Sequence, residues 1–215
     1  MTAGAVVYEA VRGLARFLFK VLFRLTVEGR EHLPAEGPFI LAPVHRSNID
    51  FLLVSTLPKQ RMRYMGKDSI WKYPTLGKLF TAMGAFPVKR GSADREALRR
   101  CIEIIEAGEP LVLFPEGTRQ SGPIVEELFE GAAYIAGRTG VPIIPVGIGG
   151  SEKAMPKGSK MIRPVKMHIV IGPAIDPPAR DDGGRAPRSA VRQTTEQLRK
   201  EVQALFDRAQ ARAGA

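Results

Sequence analysis

From residue 39 onward, short apolar runs alternate with stretches of helical periodicity, which restricts the chain to an α/β arrangement. The runs at 39–42, 61–66, 86–88, 110–115, 141–148 and 165–171 read as strands. A helix is predicted to start near Ser47. Others follow at 93–107, 125–140 and 188–212, with an irregular one over 70–83 interrupted at Pro74 and Gly77. Strands as uniformly apolar as Pro110-Leu-Val-Leu-Phe-Pro115 are buried on both faces, so the expected fold is a largely parallel mixed sheet flanked by helices. Pro142 and Pro145 cannot donate to a sheet ladder, which predicts an irregular or edge strand there. Residues 176–187, rich in Pro, Gly and charge, are the best candidate for a mobile loop.

The 215 residues suffice for one core, expected over residues 28–215 with an appendage at 1–27. A single cysteine, Cys101, excludes an internal disulfide. With only His32, His45 and His168 beside it, the spacings of a metal site are absent, so neither metal nor cofactor is expected.

The appendage is informative. Residues 5–25 form a largely apolar stretch, about 31 Å long as a helix and so long enough to reach across a bilayer. Arg12, Arg16 and Lys20 fall inside it, and each would cost about 2.5–3.5 kcal/mol near the membrane centre. With Glu9 and Arg24 they recur every three or four residues, as one polar stripe. Val7, Val11, Leu14, Phe17, Leu18, Val21, Leu22 and Leu25 take the other face. Such a helix suits the interface of an anionic membrane, and the alternative is that it packs on the domain. The charges running through it argue against a signal peptide.

The net charge of +10 calls for an anionic partner without choosing among nucleic acid, anionic lipid and a phosphorylated substrate. Aromatic content of 7%, with no basic-aromatic stacking pattern, argues against nucleic acid.

Two short motifs carry the chemistry. In His45-Arg-Ser-Asn-Ile-Asp50, a loop histidine and an aspartate at the next helix can meet. The carboxylate would then fix the imidazole tautomer and leave the other ring nitrogen to take a proton from a hydroxyl. The competing reading makes Ser47 a helix cap and Asp50 its capping acid, with no need of the histidine. In Phe114-Pro-Glu-Gly-Thr-Arg119, a carboxylate, a glycine, a hydroxyl and a guanidinium stand at a strand end. Arg119 offers a planar fork suited to phosphate, and Gly117 permits close backbone approach. Between the motifs, Lys89 and Arg90 follow another short strand.

The ordered set His-x4-Asp, a block ending in Arg90, Phe-Pro-Glu-Gly-Thr-Arg and Val141-Pro-Ile-Ile-Pro-Val146 resembles the glycerolipid acyltransferase family over roughly residues 25–175. The resemblance implies that His45 is the general base and Asp50 its orienting partner. It implies that Lys89, Arg90, Glu116, Gly117, Thr118 and Arg119 bind the phosphate and glycerol of a lysophospholipid acceptor. It also implies acyl-CoA or acyl-carrier protein as co-substrate and a peripheral or monotopic place at the cytoplasmic face of the cell membrane. The expected reaction is acylation of 1-acyl-glycerol-3-phosphate to phosphatidic acid. Glycerol-3-phosphate, another lysophospholipid or a glycolipid remain alternative acceptors. A non-catalytic basic membrane-binding module is the alternative of a different class. Val44, Lys89 and Glu130 depart from the residues usual in the family at those places and bear on acceptor choice. His32, His168 and Cys101 read as structural, and Lys67, Trp71 and Lys72 as a solvated face or a phosphate contact.

Overall fold

The computed structural model describes residues 3–88, 95–181 and 183–214. In chain order the elements are α1 (Ala3–Leu22), β1 (Thr26–Glu28), β2 (Ile40–Pro43), α2 (Asp50–Ser55), β3 (Arg63–Lys67), α3 (Pro74–Ala82) and β4 (Ala85–Val88). They continue with α4 (Arg95–Glu106), β5 (Leu111–Val112), α5 (Gly131–Thr139), β6 (Ile143–Gly149), α6 (Ser151–Ala154), β7 (His168–Ile171) and α7 (Arg188–Ala213). The strands form one seven-stranded sheet in the order β1-β7-β6-β2-β5-β3-β4. Only β6 and β7 pair antiparallel; every other neighbouring pair is parallel. Because β2, β5 and β6 run the same way, the loops that follow them open on one edge of the sheet, where α/β folds place their ligands.

Pro142, just before β6, and Pro145 within it do not put the strand at an edge. This strand is central and buried along its length. Ile143 exchanges backbone hydrogen bonds with Ile175, and the Pro145 carbonyl accepts the N–H of Gly172. Pro145 therefore faces the side on which β7 has already ended at Ile171, and its missing N–H interrupts no ladder. On one face of β6 lies α7, which buries Val191, Leu198, Val202 and Phe206. A Cβ at Gly147 would stand 2.2 Å from the Leu205 carbonyl group, and one at Gly149 2.1 Å from the Ala209 oxygen, so helix backbone rests directly on strand backbone. Gly147→Ala is accordingly expected to destabilise the protein by about 3 kcal/mol, the upper range for overpacking. The shift of the urea midpoint at unchanged slope measures it.

Three expectations are corrected. The helix predicted over 125–140 starts only at Gly131, because the Val125 N–H donates to Gln203 Oε1 (2.7 Å) and the Phe129 N–H to the Pro115 carbonyl (2.9 Å). Gly77 does not interrupt α3; it lets the helix pass the Trp71 ring, which a Cβ would meet at 3.0 Å. The helix expected to start near Ser47 starts at Asp50, and in the 176–187 stretch Arg180 donates to the carbonyls of Gly137 and Arg138 on α5.

The N-terminal helix differs from the expected two-faced one. It packs on the domain through Tyr8, Ala15 and Phe19, followed by Phe23. The polar stripe does not simply face outward. Arg12 is buried and donates to the carbonyls of Pro58 and Lys59, while Arg16 donates to those of Thr56 and Pro58. These carbonyls follow α2 and lack helical partners, so the two guanidiniums finish that helix. On the side away from the core, Val6, Val7, Leu14, Phe17, Leu18, Val21 and Leu22 are exposed, Phe17 by 62%. The helix ends where Arg24 takes φ +46°. The expected boundary at 27/28 falls inside β1, a strand too short to announce itself by alternation. Among the described residues no helix is long and apolar enough to cross a membrane.

Candidate active site

The loop leaving β2 carries His45, and Asp50 opens α2. Asp50 is fully buried, and its Oδ2 accepts the N–H of Arg46 (2.7 Å), the N–H of Ser47 (2.6 Å) and a hydrogen bond from His45 Nδ1 at 3.0 Å. Ser47 does not cap the helix: Ile49 precedes α2 without a side-chain cap and Ser47 Oγ donates to the Met155 carbonyl, so the one Asp50 oxygen holds the imidazole and the two backbone N–H groups of the loop. An oxygen already accepting two backbone N–H groups is an acceptor toward the ring too, so Nδ1 carries the proton and Nε2 presents its lone pair. The ring stacks on Phe114 at 4.0 Å between centroids, which fixes its plane. No hydrogen bond among the described residues occupies Nε2.

The neighbouring residue ties the two motifs together. Arg46 is fully buried, and its Nη1 donates to Glu116 Oε1 (2.7 Å), Glu116 Oε2 (2.8 Å) and the His45 carbonyl (3.1 Å). Its Nε donates to the Gly122 carbonyl and its Nη2 to that of Ile124, and the guanidinium lies 4.9 Å from the centre of the Phe206 ring. Glu116 Oε2 also accepts the His45 N–H at 2.8 Å. The resemblance gave Glu116 to the acceptor. Its carboxylate is buried and points to Arg46 and the His45 backbone, so it positions the histidine. Arg46 carries no signal in the sequence beyond a charge next to His45.

The rest of the second motif does face outward. Gly117 and Thr118 are exposed. Gly117 has φ +69°, which favours glycine, and the exposed Phe129 ring lies over it, 2.5 Å from where a Cβ would stand. Arg119 is half-buried, and its Nη1 is buried with no hydrogen-bond partner. A guanidinium N–H in that state is a donor available to a phosphate. Lys89 and Arg90 lie outside the described residues. Of the other departures, Val44 is buried with its N–H on the Val146 carbonyl, and Glu130 pairs with Arg192 at the surface (3.4 Å).

The remaining candidates are structural. Cys101 is buried and its thiol is pushed up to about 12 by burial, which removes it as a nucleophile. His168 bonds Thr26 Oγ1 and pairs with Glu28 on β1; burial lowers its pKa, against the pull of Glu28. His32 Nδ1 donates to the Ile171 carbonyl (2.8 Å). Trp71 donates to Thr81 Oγ1 (3.0 Å) and packs between Gly66 and Gly77, while Lys67 and Lys72 are exposed.

A histidine held through Nδ1 by a buried carboxylate, with no hydrogen bond on Nε2 among the described residues, is the arrangement of a general base. Comparison with known proteins agrees. The family model described as Acyltransferase matches residues 24–149, and the chain belongs to that family. It is 32% identical over 143 residues to the chloroplastic 1-acyl-sn-glycerol-3-phosphate acyltransferase BAT2 of Brassica napus, covering 65% of this chain and 41% of that one. A 1-acyl-sn-glycerol-3-phosphate acyltransferase of Bacillus subtilis (strain 168) is 30% identical over 148 residues, 68% of this chain and 71% of that one. The crystal structure of the 1-acyl-sn-glycerophosphate (LPA) acyltransferase PlsC from Thermotoga maritima superposes with a TM-score of 0.77 at 27% identity, over 95% of this chain and 81% of that one. The chain spans about two fifths of the length of the plant relatives BAT2 and LPAT1.

Proposed function

We propose that the protein transfers a fatty acyl group from a thioester, acyl-CoA or acyl-carrier protein, to the free hydroxyl of 1-acyl-sn-glycerol-3-phosphate, forming phosphatidic acid. The observation that carries this reading is His45, held through Nδ1 by Asp50 with Nε2 left for a substrate hydroxyl. The acceptor oxygen gives its proton to Nε2 as it bonds the thioester carbonyl carbon. The tetrahedral intermediate then expels the thiolate as the C–S bond breaks, and the imidazolium returns the proton to sulfur. Asp50 offsets the charge on the imidazolium between the two steps. Arg119, with its unpaired buried N–H, takes the acceptor's phosphate, together with Arg90, the arginine of the family's second block, and with Lys89 adding a cation that the family does not usually carry there. The names of the relatives support the choice of acceptor.

The test is thiol release from palmitoyl-CoA with 1-acyl-sn-glycerol-3-phosphate, glycerol-3-phosphate and 1-acyl-glycerophosphocholine as acceptors. Release with the first alone is expected. Release restricted to another acceptor would replace the substrate, and release seen only when acyl-carrier protein carries the acyl group would fix the donor.

The acceptor is a lipid, and the exposed apolar side of α1 supports work at a membrane surface. Leu14→Glu with Phe17→Glu is expected to weaken binding to phospholipid vesicles by about tenfold or more, since each apolar side chain contributes about 1.5–3 kcal/mol on burial. Binding equal to wild type in a flotation assay would remove α1 from the membrane contact.

A further inference from the structure

We propose that residues 155–166, between α6 and β7, form a second lipid-contact element that holds the catalytic loop against an anionic membrane. Residues 153–166 contain five cations, Lys153, Lys157, Lys160, Arg163 and Lys166, and no carboxylate. All five are exposed, and among the described residues none has an ion-pair partner. In their midst Met161 and Ile162 stand 70% and 53% exposed. The projection is folded. Ser159 Oγ accepts the Met161 N–H and donates to the Met161 carbonyl (both 3.0 Å), and the Arg163 N–H donates to the Ala154 carbonyl (2.8 Å).

Its two ends connect to what matters. At one end the Met155 carbonyl accepts Ser47 Oγ (2.8 Å), inside the loop that carries His45 and Asp50. At the other, the Met167 N–H donates to the Phe23 carbonyl (3.0 Å), one residue beyond α1 and beside its exposed Leu18, Val21 and Leu22. The segment is therefore tied at one end to the loop of His45 and at the other to the turn that follows α1. An adjacent pair of aliphatic side chains flanked by free cations matches the lipid-water boundary, apolar atoms below the headgroups and cations among them. A site for the phosphates of the acyl donor would use the cations but not an exposed Met-Ile pair. The chemistry thus selects a lipid surface over a soluble anion.

The inference rests on the reading of the acceptor as a membrane lipid, but vesicle binding is measured without turnover, so an error in the acceptor appears in the acceptor panel and not here. Two full-length variants are compared with wild type: Lys157→Glu/Lys160→Glu/Arg163→Glu, and Met161→Ser/Ile162→Ser. Vesicles are phosphatidylcholine alone or in equal parts with phosphatidylglycerol. The charge reversal is expected to lower binding to the anionic vesicles by about tenfold or more, and binding to phosphatidylcholine little. The serine pair is expected to lower binding to both. Both variants should keep wild-type melting curves and wild-type turnover of detergent-dispersed substrates. Unchanged vesicle binding in both variants overturns the proposal. A raised KM for acyl-CoA in detergent with intact vesicle binding overturns it too, by assigning the segment to the donor.

Discussion

Replacing His45 by Ala is expected to lower thiol release about 10²–10⁴-fold, the range general-base help supplies, while the melting curve stays close to that of the wild type. Among the described residues the imidazole hydrogen-bonds only Asp50 Oδ2, which keeps the backbone N–H groups of Arg46 and Ser47, so what the fold loses is the stack on Phe114. Asp50→Asn keeps an oxygen for the same three donors but removes the charge opposite the imidazolium. It should show a smaller loss of the same kind, in kcat more than in KM. Turnover by His45→Ala equal to wild type would mean that another group takes the hydroxyl proton.

The second large effect is expected at Arg46 and Glu116. Removing either partner of this fully buried pair strands the other's charge, at a cost of about 3–5 kcal/mol. Glu116→Ala also leaves the His45 N–H without its acceptor, so turnover should fall even at temperatures where the variant is folded. A double replacement, Arg46→Met with Glu116→Met, separates the two roles. Apolar side chains in place of a buried pair often restore stability, but they cannot hold the His45 backbone from both its N–H and its carbonyl. The expected result is a double variant more stable than Glu116→Ala and still slow. A double variant with wild-type kcat would reduce the pair to a structural one.

What the sequence disclosed depended on how local each determinant was. The strand at 111–112 and the helix at 95–106 were legible because apolar runs and helical spacing act within a few residues. Residues 45–50 alone left the His45–Asp50 contact open against a helix cap, and it took the second motif and the family resemblance to decide for it. Residues 125–129 were not legible, since their backbone partners are Gln203 and Pro115 and the local pattern still reads as helix. Pro145 suggested an edge because the end of β7 that accommodates it lies in a different part of the chain. Arg46 was invisible as a positioning residue. Each partner beyond its own loop, at Glu116, Gly122, Ile124 and Phe206, becomes a neighbour only after the sheet and α7 are assembled.

That last set of partners has a consequence for the order in which the protein is made. His45 and Arg46 leave the ribosome early, and α2 can coil as soon as Asp50 follows them. Glu116 arrives some seventy residues later. The Phe206 ring, carried by the helix that lies on Gly147 and Gly149, comes later still. Until that helix has emerged and docked, the guanidinium that fixes the catalytic loop lacks part of its cover. A nascent chain short of Phe206 therefore holds His45 and Asp50 without all of the frame that aligns them.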